Sequence, residues 1–154
     1  MDKYYIGIDL GGTNIKGSIF NNDFSKIEEQ RFSTGADKGS EYVLNRINRL
    51  IITMLNNTAL KNEDMACIGI GVPGLLNINE GISLFSPNFS EWENVPVVKW
   101  LEEKLHIPVF IDNDVRVNLY GEWYFGVGQG FRNVVLLTIG TGLGSGIVID
   151  GHEF

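Results

Sequence analysis

Two glycine-rich turns and one acidic junction hold the residue types that could do chemistry in this chain. Residues 9–17 read DLGGTNIKG. A turn of that composition exposes backbone N–H groups, and Gly11 and Gly12 let a polyphosphate approach with no Cβ in the way. Thr13 and Asn14 add side-chain donors, and Lys16 is a further candidate phosphate contact. Asp9, at a strand end, could hold Mg²⁺ directly or through water. Residues 138–146 read TIGTGLGSG and repeat the plan, with Gly140, Thr141 and Gly142 as candidate phosphate contacts. A lone D-x-G-G-T also arises as a tight hairpin whose Asp and Gly only satisfy turn geometry. Two such turns in one chain make coincidence a poorer explanation. Strand rather than helix follows the first turn, so it is no dinucleotide fingerprint. No Gly-Lys-Ser/Thr follows it, so it is no Walker-type loop.

The acidic junction is Asp112-Asn113-Asp114, where strand pattern gives way to helix pattern. Capping a helix is what Asp and Asn routinely do at such a place. The chemical reading is that one carboxylate removes a proton from a substrate hydroxyl while Asn113 hydrogen-bonds a sugar. Gly74, closing Gly71-Val72-Pro73-Gly74, could line a substrate pocket or form a structural turn. Asn88, in Ser86-Pro87-Asn88 ahead of Trp92, could contact carbohydrate; the alternative is a loop over a buried Trp. His106, near a helix end and Pro108, reads as structural, and His152 has no second metal ligand close in sequence.

These residues need elements to position them. Strands are expected over residues 4–10, 14–20 and 27–32. Val43, Leu44, Ile47, Leu50, Ile51, Met54 and Leu55 then recur at helical spacing, with Ser40 as the expected N-cap. A strand over 67–72 ends at Pro73-Gly74, and residues 75–93 read as loop. Pro96 is expected to start a helix that turns Val97, Val98, Leu101 and Leu105 inward. A strand over 109–111 leads into a helix through about Tyr124, with Val115, Leu119 and Trp123 on an apolar face and Asp114, Asn118 and Glu122 on a polar one. After a loop at Gly126, Gly128 and Gly130, residues 134–139 and 146–149 read as strands. Three strands followed by alternating helices and strands predict an α/β domain with a mixed sheet. The two strand–turn–strand copies suggest related half-domains facing one ligand.

The chain has 154 residues, enough for one real core. Twelve basic against nineteen acidic residues leave a net charge of −7, which argues against a nucleic-acid surface. One cysteine, Cys67, allows no disulfide framework and no cysteine zinc site. No apolar run approaches the ~20 residues that span a bilayer. The expectation is an acidic, reduced, cytoplasmic protein without a membrane partner.

At these residues the sequence resembles the ROK family, which groups sugar kinases with related repressors. IGIDLGGTNIKG looks like its first phosphate motif, GIGVPG like its substrate-side turn and TIGTGLGSGIVIDG like its second phosphate motif. The run SPNFSEWENVPVVKWLEEKLHIPVFIDNDVRVNLYGE is similar to the segment with the catalytic aspartate. The resemblance implies an actin-like, hexokinase-type (ribonuclease H-like) ATPase fold whose two domains close over ATP and sugar. It implies Asp114 as general base, Asn113 as sugar ligand, Asp9 as a Mg²⁺ contact and glucose as default substrate. Departures are Asp112 where Glu is usual and Val115-Arg116-Val117-Asn118 in place of an alanine-rich run. They leave the chemistry intact and the sugar preference open. Family members continue past the position of Phe154 with a Glu-x-x-His segment, a zinc motif and most of the adenosine pocket.

The chain is therefore expected to be truncated, with residues 1–132 as the sugar- and phosphate-binding domain and 133–154 as the start of a second. Zinc is expected only in the missing carboxy-terminal part. Little turnover is expected of the chain alone, and a homo-oligomer of its full-length parent. A sugar-sensing regulator of the family and a non-sugar ATPase of the fold are the other readings. Too little chain precedes the first phosphate strand for a helix-turn-helix, and the Asn113-Asp114 pair favours a sugar pocket.

Overall fold

Ile6, Ile8 and Leu10 recur at period two, which puts them on one face of a strand, and β1 (Tyr4–Leu10) buries all three. The computed structural model describes residues 3–139 and 142–154. They form two units, the first ending at Asp112 and the second running from Asn113 to Phe154.

In the first unit, β2 (Asn14–Phe20) returns antiparallel to β1, and β3 (Lys26–Ser33) returns antiparallel to β2. The helix α1 (Ser40–Thr58) then carries the chain back, so that β4 (Met65–Val72) lies parallel to β1. With β8 (Val109–Asn113) this gives a five-stranded sheet of order β3-β2-β1-β4-β8, mixed as the sequence predicts. All seven apolar residues at helical spacing in α1 are buried, and the helix packs on β2 and β3. Gly17 on β2 makes room for it: a Cβ there would lie 2.3 Å from Leu50 Cδ2.

Two local expectations are corrected. Ser40 is not the N-cap but the first helical residue; Gly39, at φ 84°, makes the non-helical entry and no side chain caps the helix. Residues 75–93 are not all loop. β5 (Leu75–Asn77), β6 (Ile82–Phe85) and β7 (Glu93–Val95) form a small antiparallel sheet of order β5-β6-β7. Strands of three or four residues are too short to write a readable alternation. Trp92 lies buried beside this sheet and donates its indole N–H to Ser83 Oγ at 2.8 Å. The helix α2 (Val97–Leu105) follows Pro96, buries Val97, Leu101 and Leu105, and ends at His106 in a left-handed cap of φ 54°.

The second unit holds α3 (Asp114–Phe125), β9 (Val134–Ile139), β10 (Leu143–Ile149) and β11 (His152–Glu153). Its sheet runs β11-β10-β9, all antiparallel. Gly144 and Gly146 let α3 lie close on β10; Cβ atoms there would sit 2.7 Å from Val115 Cγ2 and 3.0 Å from Leu119 Cδ2. Of the expected apolar face only Leu119 is fully buried. Val115 and Trp123 are half-buried. No helix among the described residues is long and apolar enough to cross a membrane.

Candidate functional site

The first glycine turn is held rigidly on the end of the β1–β2 hairpin. Gly11 N–H donates to Asn14 O at 3.0 Å and closes the turn. A Cβ on Gly11 would lie 2.9 Å from that same oxygen, so the closure needs glycine. The chain after β3 then clamps the turn. Thr34, fully buried, donates its hydroxyl to Gly11 O at 2.6 Å and its N–H to Thr13 O at 2.9 Å. Gly12 and Thr13 stay exposed at the tip, and Asn14 is half-buried. That arrangement offers backbone and hydroxyl donors to an anion without first having to be ordered.

Asp9 stands directly across from Lys16 in the hairpin register, and both are exposed where Ile8, Leu10 and Ile15 are buried. Lys16 is paired with Glu29 of β3 at 3.4 Å, which turns it along the sheet. The hydrogen bond from Lys26, with the charges of both lysines, pulls the Glu29 carboxyl below its usual range.

Asn88 reaches this turn from the far side of the unit's sequence; its Cβ is 3.6 Å from where a Cβ on Gly12 would be. Gly12, Thr13, Asp37, Asn88, Phe89 and Ser90 all face one cavity of about 500 Å³. Its walls are tied by Ser90 N–H donating to Ala36 O at 2.8 Å. Phe89 is buried and packs on Trp92 with ring centroids 4.9 Å apart. Gly74 and Lys16 are not among the residues lining the cavity. Gly74 sits beneath it in the chain: at φ 96°, with a would-be Cβ 2.1 Å from Phe85 O, it lets the Phe85–Ser86 backbone pass before Pro87 and Asn88.

In the second unit, Asn113 caps α3. Its Oδ1 accepts from the N–H groups of Val115 at 3.0 Å and Arg116 at 3.4 Å. Asp114 is the first residue of the helix, half-buried, and its Oδ1 also accepts from Val115 N–H at 3.0 Å. Both side chains are therefore held at the helix start, where N–H groups and the helix dipole favour negative charge. Gly142 stands just ahead of β10, where an added Cβ would meet nothing within 4 Å among the described residues, while Gly140 and Thr141 lie outside them.

Sequence reasoning missed three features. Thr34 gives no signal, since a threonine after a strand is ordinary until its partners are known. Asp37, Phe89 and Ser90 join the cavity only through the tertiary fold. Arg116 grips Glu153 through two guanidinium nitrogens, one of them, Nη2, at 2.6 Å, and Tyr120 donates its hydroxyl to the same carboxylate.

A mixed sheet whose first hairpin ends in a clamped glycine turn, with the loop that carries Asn88 beside it, defines an α/β lobe of the actin-like, hexokinase-type ATPase fold. The sequence profile of the ROK family matches residues 5–154, and the chain belongs to that family. It is 36% identical over 147 residues to a glucokinase of Thermotoga maritima, covering 96% of this chain and 45% of that protein. It is 32% identical over 156 residues to a xylose repressor of Bacillus spizizenii, covering 98% of this chain and 38% of the repressor. A ROK family glucokinase from Streptomyces griseus, solved with glucose and AMPPNP, superimposes with a TM-score of 0.85 at 28% identity, over 98% of this chain and 46% of that one. The chain thus spans about half the length, or less, of these three relatives.

Proposed function

We propose that this chain carries the amino-terminal lobe of an ATP-dependent hexose kinase, with glucose the first substrate to test. The observation that carries the reading is the shared cavity: the phosphate-type turn at Gly12 and Thr13 and the carbohydrate-type loop at Asn88 line the same space. The glucokinase relatives support it. In this reading residues 1–132 bind sugar and phosphate, and 133–154 open the second lobe.

The turn's N–H groups, Thr13 and Asn14 would hold the nucleotide's phosphates, and Gly140, Thr141 and Gly142 are further proposed phosphate contacts. Gly74 shapes the chain that presents Asn88, and Asn88 and Asn113 would exchange hydrogen bonds with sugar hydroxyls. Asp114 would take the proton of the attacking hydroxyl as its oxygen bonds to the γ-phosphorus and the bond to the β-phosphate oxygen breaks, releasing ADP. Mg²⁺ takes one or two carboxylates beside substrate phosphates and neutralises charge that builds there. The exposed Asp9 beside the turn fits that need, and no group of three His, Cys, Asp or Glu that would cage an ion stands among the described residues.

A ligand that binds only the folded state raises the unfolding midpoint. Glucose and AMPPNP with Mg²⁺ are each expected to raise the Tm of the purified chain, and Asn88→Ala to abolish the glucose effect alone. No rise with either ligand overturns the reading. Little or no glucose 6-phosphate is expected from the chain by itself, since half the length of its relatives lies outside it; robust formation would refute that part. The xylose repressor similarity favours one other reading, sugar sensing without phosphoryl transfer. A glucose effect with no nucleotide effect would select it.

A further inference from the structure

Asp37 is the one ionisable side chain among the described residues that line the cavity beside the glycine turn. It sits in a single 3₁₀ turn, Ala36–Lys38, between Gly35 at φ 65° and Gly39 at φ 84°. Lys38 N–H donates to Gly35 O at 3.0 Å, and Ser90 N–H donates to Ala36 O at 2.8 Å. The carboxylate is thus carried on backbone fixed to both cavity walls. Three cations of this unit each hold a partner other than Asp37, one of them, Arg46, at the carbonyl of Ser33 on the cavity wall. Lys38 lies over the Tyr42 ring at 4.8 Å, and Arg46 lies over the Phe32 ring at 4.8 Å with its Nε donating to Ser33 O. Lys16 pairs with Glu29. None of the three lines the cavity.

We propose that Asp37 is a specificity-determining residue that separates an uncharged hexose from its anionic counterparts, the phosphorylated product and sugar acids. The inference rests on the reading of this cavity as the sugar site. A carboxylate accepts hydrogen bonds from neutral hydroxyls and repels a phosphate or carboxylate ligand. The nucleotide arrives with Mg²⁺ offsetting its charge; a hexose phosphate has no such escort. Asp37 therefore admits the substrate and weakens the hold on the product once the phosphoryl group has moved. Because Asp37 is exposed, solvent screens the effect to about three- to tenfold in affinity.

The test is calorimetric titration of the purified chain with glucose, glucose 6-phosphate and glucuronate, for wild type and Asp37→Asn. Wild type should bind glucose more tightly than either anion. The variant should narrow that gap about threefold or more, mainly by binding the anions better, and added salt should narrow it in wild type but not in the variant. An unchanged ratio in Asp37→Asn, with glucose still bound by both proteins, overturns the role of Asp37 and leaves the sugar site standing. If wild type binds no glucose while its unfolding stays cooperative, the sugar-site reading itself fails and the inference with it.

Discussion

The hydroxyl of Thr34 donates to the carbonyl of Gly11 at 2.6 Å, across 23 residues of chain, and pins the turn that presents Gly12 and Thr13. Thr34 is fully buried, so the isosteric Thr34→Val leaves the Gly11 carbonyl without that donor in a place where water cannot easily replace it. The expected loss is about 1–3 kcal/mol, read as a lower urea midpoint at unchanged m-value. If the turn holds nucleotide as proposed, nucleotide affinity should fall as well, because the turn loses its clamp. Thr34→Ser keeps the donor and should lose much less of both.

Three glycines separate packing from backbone demands. At Gly74 the added Cβ of alanine would meet the Phe85 carbonyl oxygen at 2.1 Å, and φ is 96°. At Gly17 it would meet the ends of Leu50, Ile8 and Met54, and at Gly69 nothing within 4 Å. Side-chain ends can shift and backbone cannot, so Gly74→Ala should be the most damaging and Gly17→Ala should cost about 1–3 kcal/mol as overpacking. Gly69→Ala should be close to neutral. Denaturant unfolding of the three variants ranks them; a Gly17 variant worse than the Gly74 variant would contradict the geometry.

Two buried serines three residues apart differ in their partners. Ser83 Oγ accepts from Trp92 Nε1, whereas Ser86 Oγ has no partner among the described residues. Ser83→Ala strands a buried indole N–H and should cost about 1–3 kcal/mol. Ser86→Ala removes no protein hydrogen bond and should leave the unfolding midpoint unchanged or raise it. A large loss at Ser86 would show that its hydroxyl is held after all.

The Arg116–Glu153–Tyr120 cluster sets a pH dependence with a definite sign. Hydrogen bonding to Arg116 holds the Glu153 carboxyl below its usual range, against the opposing effect of burial, and Tyr120 adds to the lowering. A depressed carboxyl stabilises the fold fully above the unfolded-state value, about 4.3, and that contribution is lost as pH falls through the folded value. Arg116 is 39% exposed, so the effect should be about 1 kcal/mol or less. Tyr120 is pushed up, first by its hydrogen bond to Glu153, so its contribution is present below about pH 10 and fades above it. Glu153→Gln should therefore lower Tm at neutral pH and converge with wild type in acid. Curves that stay parallel down to pH 3 would exclude the linkage.

Asp114→Asn keeps an oxygen that can accept from Val115 N–H, so α3 should start as before. On the proposed reading, phosphoryl transfer measured in a protein that has both lobes should fall by about 10²- to 10⁴-fold while glucose binding persists. Loss of binding and turnover together would make Asp114 a ligand for the sugar rather than its base.

Where an element is long or its periodicity strong, it is legible in the sequence. The strands Tyr4–Leu10, Asn14–Phe20 and Val134–Ile139 and the buried face of α1 stand where the apolar spacing puts them. Ser40 and the 75–93 segment were not legible, for a shared reason. A cap depends on the dihedral angles of Gly39, and three-residue strands depend on partners such as Ser83 opposite Val95. Neither leaves a local pattern.

The candidate site divides the same way. The sequence by itself determined which residues could meet phosphate or hydroxyl groups, because Gly-Gly-Thr and Asn-Asp act through side-chain chemistry and backbone freedom that travel with the residue type. Only the tertiary structure decided that Asn88 lies against Gly12, that Thr34 clamps the turn from beneath and that Asp37 lends the cavity its charge. Those relationships join segments more than 20 residues apart in sequence, and they exist only because the packing of α1 and the sheet brings those segments together.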